Sequence, residues 1–145
     1  MRLSKRCEYG IKAAVRLAIS HGGGYLQSRE IAESEGMPAK FLESVLLGLR
    51  SASLLESKVG AGGGYRLSRP PGQIRISEVI DALEPAAAGS QADPDHPSIG
   101  QTALELFHRR SDEAIDHVVG SLSLDQLITL ADATDEPRPA DAVSI

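Results

Sequence analysis

Gly60-Ala61-Gly62-Gly63-Gly64-Tyr65-Arg66-Leu67-Ser68-Arg69-Pro70-Pro71 is the stretch on which the fold turns. Four glycines in five residues are costly to order, because glycine loses more backbone freedom on folding than any other residue. Such a segment either cradles a phosphate in an enzyme or forms the tip of a hairpin that approaches another surface closely. The phosphate-loop readings fail on spacing. G-x-x-x-x-G-K-[ST] is absent, and a dinucleotide fingerprint beginning at Gly60 needs glycine where Tyr65 stands. It also needs a helix to follow promptly, which Pro70-Pro71 prevents. A hairpin tip needs only tight turning with positive φ, and Lys58, Arg66 and Arg69 beside it supply charge for phosphates.

Working outward, Leu54–Val59 and Tyr65–Ser68 read as two short strands around the glycines. Three helices precede them. Ser4 caps the first, whose apolar positions Ile11, Ala14, Val15, Ala18 and Ile19 recur at helical spacing, and His21-Gly22-Gly23-Gly24 stops it. Ser28 caps a short second helix closed by Gly36. Met37-Pro38 starts the third, with a core stripe of Leu42, Val45, Leu46 and Leu49 and with Ala39, Lys40, Glu43, Ser44 and Arg50 on other faces. Helix, helix, helix, hairpin is the order of a winged helix-turn-helix. After Pro70-Pro71-Gly72, Ser77 caps a further helix that stops before Pro85.

Residues 86–97 read as a loop, being Ala, Gly, Ser, Gln, Asp, Pro and one His. Beyond them Leu104, Phe107, Ala114, Ile115, Val118 and Leu122 form a long helical stripe, interrupted at Ser111. Ser123 caps a last turn, Leu124–Leu130. So long an apolar stripe outside the compact half needs a cover, and packing across a two-fold axis on a second copy provides one, the alternative being that the helix folds back on its own domain. The expected fold is mainly α with a small β-hairpin wing: a winged helix-turn-helix domain at 1–84, a loop at 85–98, a dimerisation helix region at 99–133 and a disordered tail at 134–145.

The 145 residues carry a net charge of −5, which argues naively against a nucleic-acid partner. The distribution argues the other way. Residues 1–75 hold twelve Lys/Arg against six Asp/Glu, a net of +6, whereas residues 76–145 hold three Arg against fourteen acids, a net of −11. Only the first half is suited to face a polyanion. No apolar run approaches the ~20 residues that span a bilayer, nothing at the N-terminus resembles a signal peptide, and the lone Cys7 excludes an internal disulfide framework, so a cytoplasmic setting is expected. Cys7 reads as a small, partly buried filler near a helix start, with a redox-sensing thiol as the alternative, and Glu8 with Lys12 as a helix-surface ion pair. His21, His96, His108 and His117 lack the i, i+4 spacing of a metal pair. No nucleophile–base set is placed, so an enzyme is not expected.

The first ~85 residues resemble the Rrf2 family of bacterial winged-helix regulators. The resemblance runs from Met1-Arg2-Leu3-Ser4 and Tyr9 through Glu30-Ile31-Ala32, Phe41-Leu42-Glu43, Leu49-Arg50 and Gly62-Gly63-Gly64-Tyr65-Arg66-Leu67. Residues 124–132 resemble the end of that family's dimerisation region. The resemblance implies a homodimer, with a long helix at the two-fold, acting on double-stranded DNA at palindromic operators. It also implies that Lys40, Phe41, Glu43 and Ser44 lie where the family reads major-groove bases. Lys5, Ser28, Arg29, Pro38, Ala39 and Arg50, with Lys58, Gly62, Gly63, Tyr65 and Arg66 of the wing, complete the expected DNA-binding set. Leu104, Phe107, Ile115, Val118 and Leu122 make the expected dimer seam.

Departures from the family pattern bear on mechanism. Many members hold an iron–sulfur cluster with three cysteines between the domain and the long helix. Here residues 85–108 contain no cysteine, so neither a cluster nor another cofactor or metal is expected. Lys58-Val59 replaces the usual Val-Arg before Gly60, Gly48 stands where a basic residue is usual, and Ser53 replaces a helix-ending glycine. An effector or a partner protein stays open. The alternative reading is a protein–protein adaptor that keeps the winged helix as a scaffold and regulates by docking a partner.

Overall fold

The computed structural model describes residues 3–84 and 98–134. The expected loop therefore lies outside the described residues except for Ser98, and the expected tail except for Thr134. The order is α1 (Lys5–Ile19), α2 (Ser28–Glu35), α3 (Ala39–Ser51), β1 (Leu55–Lys58), β2 (Gly64–Leu67), a 3-10 turn (Pro71–Gln73), α4 (Ile76–Leu83), α5 (Ile99–Val119) and α6 (Leu124–Thr134). It is a mainly helical winged helix with one antiparallel hairpin, as the sequence led us to expect.

Ser4 caps α1, its Oγ accepting from the Cys7 N–H at 3.1 Å. Ser4 is itself held by Glu84 at the end of α4, donating to that carboxylate from its N–H (3.1 Å) and its Oγ (2.7 Å). These donations hold the Glu84 carboxyl below its usual value. The buried face of α1 is Cys7, Gly10, Ala13, Ala14, Leu17 and Ala18. Ile11 and Val15 of the expected stripe only flank the core, and Ile19 is exposed. Small residues line the inside because α3 and α4 approach closely, so that a side chain at Gly10 would collide with Leu83.

Three of the expected helix boundaries are corrected. The cap of α2 is Gln27, with Ser28 the first helical residue; the Gln27 N–H donates to Glu30 at 3.0 Å, which satisfies one orphan donor. Arg75 caps α4, its N–H donating to Glu78 at 2.8 Å, in place of Ser77. The long helix α5 runs through Ser111 without a break, because the residues around it are good helix formers and a single serine costs little. Ser123 does cap α6, which reaches Thr134, well past the expected single turn; Ser123 and Gln126 exchange two hydrogen bonds of 3.0 and 3.1 Å.

The hairpin pairs Leu55 with Leu67, Glu56 with Arg66, Ser57 with Tyr65 and Lys58 with Gly64. A third segment joins it. Leu26, just before α2, exchanges both backbone bonds with Tyr65, at 2.8 and 2.7 Å. Gly64 makes this possible, since its φ is 131° and a side chain there would strike the Leu26 backbone. The core lies under this sheet and between the helices, around Leu17, Ile31, Leu42, Leu46, Leu49, Ile74 and Val79. After α5 the chain returns to it: Ile76 N–H donates to Leu122 O (2.8 Å), Leu124 N–H to Ile74 O (2.9 Å), and Leu124 is fully buried.

Candidate nucleic-acid interface

Three turns of α3 present Lys40, Glu43, Ser44 and Leu47 outward while Leu42, Val45, Leu46 and Leu49 are buried, the division that a 3.6-residue period imposes. Pro38, Ala39 and Arg50 are exposed at the two ends of the same helix. Phe41 is 38% exposed and meets Tyr9 edge-on, with ring centroids 5.2 Å apart. Ser44 is exposed, but its hydroxyl is held by Arg6 at 2.7 Å.

Beside α3 stands the wing, whose tip from Val59 to Gly62 is solvent-exposed. On its outer face Arg66 pairs with Glu56 at 2.9 Å and lies 4.5 Å from the ring centroid of Tyr25, while Lys58 Nζ is 6.0 Å from that ring. Arg66 is therefore a matched charge; Lys58, with only the distant ring, is the freer cation. Between wing and α2 lies a cleft of about 360 Å³ lined by Gln27, Ser28, Arg29, Gly60, Gly63, Gly64 and Tyr65. It brings together four residues of the expected DNA-binding set, Ser28, Arg29, Gly63 and Tyr65, from segments about thirty-five residues apart. Lys5 is exposed and pairs with Glu8 at 3.5 Å, so the expected Glu8–Lys12 pair is replaced by one a turn earlier. Such surface pairs contribute little and yield readily to phosphate.

Sequence reasoning missed Arg6, Tyr25 and the backbone bridge from Leu26 to Tyr65. A faint signal for Leu26 existed, an apolar residue between Tyr25 and Gln27 just before a helix start. Nothing local pointed to Arg6 on α3.

The expected dimer residues divide. Leu104, Phe107 and Val118 are exposed on α5, Ile115 is half-buried, and Leu122 packs against the chain's own core. Among the described residues the ring that Phe107 meets is that of His108, at 6.0 Å.

A sequence model of the Rrf2 family, described as an iron-dependent transcriptional regulator, matches residues 3–130. The chain belongs to the Rrf2 family. Rrf2 proteins are transcriptional regulators, not enzymes. IscR of Cereibacter sphaeroides, an HTH-type transcriptional regulator, is 31% identical over 147 residues, covering 99% of this chain and 94% of that protein. A putative HTH-type transcriptional regulator of Mycobacterium tuberculosis is 36% identical over 84 residues, and that match takes in 58% of this chain and only about half (52%) of the relative's length. Among solved structures T. potens IscR has a TM-score of 0.73 at 28% identity, covering 97% of this chain and 95% of that one.

The iron dependence in the Rrf2 description raises the question of which groups here would hold iron. The donor set does not fit a cluster. The sequence has one cysteine, and Cys7 is fully buried at the start of α1. Burial, reinforced by the Glu84 carboxylate beside it, pushes the thiol up to about 11, whereas cluster irons bind thiolates. Among the described residues no group of three His, Cys, Asp or Glu is placed to hold a metal ion, and no helix is long and apolar enough to cross a membrane.

Proposed function

We propose that this Rrf2 protein is a sequence-specific DNA-binding transcriptional regulator that acts in the cytoplasm as a homodimer on a palindromic operator, without an iron–sulfur cluster. The observation that carries the reading is the outer face of α3, where Lys40, Glu43 and Ser44 stand clear of the core beside an exposed glycine wing. In this reading α3 enters the major groove, the wing follows the adjacent backbone or minor groove, and a phosphate sits in the cleft between Arg29 and Gly63. Glu43 accepts from a cytosine amino group, and Lys40 and Lys58 neutralise phosphates. The exposed apolar residues of α5 support the dimer, because a 21-residue helix with no buried residue leaves its own stripe uncovered. The single cysteine with its retained proton supports the absence of a cluster.

Selection from a random duplex pool, followed by a salt series on the selected site, tests the reading. With about six or more phosphates contacted, affinity falls ~10³-fold between 50 and 200 mM salt. Lys40→Ala and Lys58→Ala each flatten that slope by about two units, one per protomer, while leaving sequence preference intact, and Glu43→Ala relaxes preference at one base step per half-site with the slope unchanged. A slope near zero on every DNA tried overturns the reading in favour of an adaptor.

A further inference from the structure

Arg6 lies two residues beyond the cap of α1 and thirty-eight residues before Ser44, the residue of α3 that it touches. Its Nη1 donates to Ser44 Oγ at 2.7 Å and its Nη2 to the Ser44 carbonyl at 3.4 Å. The guanidinium fits there because position 48 carries no side chain. A Cβ on Gly48 would stand 2.8 Å from Arg6 Nη2 and 3.0 Å from Leu83 Cδ2. Gly48 is thus the opening through which a basic group from α1 reaches this face.

The consequence lies in the hydroxyl of Ser44. A serine or threonine inside a helix commonly spends its proton on a carbonyl of the preceding turn. Ser34, Thr102, Thr129 and Thr134 do so here, at 2.9–3.2 Å. Ser44 does not: its oxygen accepts from Arg6, and among the described residues its proton has no acceptor. A free serine hydroxyl rotates and reads donors and acceptors alike. A guanidinium is donor only, so it occupies one of the oxygen's two lone pairs, its positive charge disfavours a second donor there, and the hydroxyl is biased to act outward as a donor.

We infer that Arg6 is a positioning residue that biases Ser44 towards donating, so that Ser44 favours a base-edge acceptor in the major groove and disfavours cytosine, whose edge offers an amino donor. Purine N7, guanine O6 and thymine O4 are the acceptors that qualify. The inference rests on α3 being the reading helix.

The test uses the full-length protein and the duplex that it selects from a random pool, with all four bases placed in turn at each position and 7-deazapurines as probes. Wild type is expected to disfavour cytosine at one position per half-site by about tenfold. Ser44→Ala loses that discrimination. Arg6→Lys, which keeps the charge but not the fork, loses it at the same position, and the double variant loses nothing further. Gly48→Ala leaves both partners chemically intact, displaces the guanidinium and gives the same local loss, with thermal unfolding checking that each variant is folded. Wild-type preference retained in Arg6→Lys and Gly48→Ala overturns the positioning role. If Ser44→Ala relaxes no position while wild type still binds a selected site with a steep salt slope, this inference fails and the proposed function stands. If no sequence is selected at all, both fail.

Discussion

The α1–α4 half and α5 solve the burial of apolar side chains in opposite ways. In the first, Leu42, Val45, Leu46 and Leu49 of α3 are fully buried within one chain, and the outward face is polar and charged. In the second, no residue of a 21-residue helix is buried, and Phe107 and Val118 are 65% and 74% exposed. The first half therefore buries its apolar stripe and presents a polar surface, whereas α5 leaves its apolar residues exposed. The helix is about 30 Å long and packs only lightly, against α4, and the proposed dimer would cover its exposed stripe.

Breaking α5 is expected to have the largest effect. Phe107→Asp with Val118→Asp sets charges where a dry seam is proposed, so the protein sediments as a monomer and operator affinity collapses, because each half-site then binds alone. An unchanged sedimentation coefficient would place the interface elsewhere. The opposite region responds differently. Leu46→Ala removes fully buried volume and costs about 2–5 kcal/mol in denaturant unfolding, whereas Leu104→Ala on α5 lowers stability only through dimer dissociation, seen as a dependence of the midpoint on protein concentration.

A smaller effect lies at the seam between α1 and α4. The Cys7 thiol is raised from 9.0 to about 11, so its contribution to stability is fully present below about pH 9 and is lost as pH rises through about 11. Native protein should accordingly react slowly with iodoacetamide at pH 8 and at the normal thiol rate once unfolded in urea; fast native labelling would contradict the burial. The smallest change concerns Ser53, which follows α3 with φ 63° and is the non-glycine residue with positive φ among those described. Ser53→Gly removes that strain and should stabilise the protein by about 1 kcal/mol, measured by thermal unfolding.

The same contrast separates what was legible from what was not. The wing was readable because glycines bracketed by two short apolar–polar alternations and followed by Pro70-Pro71 leave few conformations open. The stripe of α3 was readable because periodicity is a property of neighbouring residues. The caps were harder: Gln27 and Arg75, neither of them usual cap residues, hold the positions assigned to Ser28 and Ser77, one and two residues later, because a helix start depends on where the chain enters from. Leu122 was legible as apolar and periodic with α5, yet its backbone is claimed by Ile76 and its side chain by the core.

By itself the sequence determined the order of elements, the hairpin tip, the segregation of positive charge into the first half and the lack of a thiol set for a cluster. Each of these is carried by residue type or by spacing within one or two turns. The tertiary structure alone decided that Arg6 grips Ser44 thirty-eight positions away, that Glu84 holds Ser4 across eighty, that Leu26 extends the wing sheet, and that Tyr25 and Glu56 occupy the cation expected to meet phosphate. The physical reason is that hydrogen bonds and ring contacts act over a few ångströms, and only the packing of α1, α3 and α4 around the core brings such distant positions within that range.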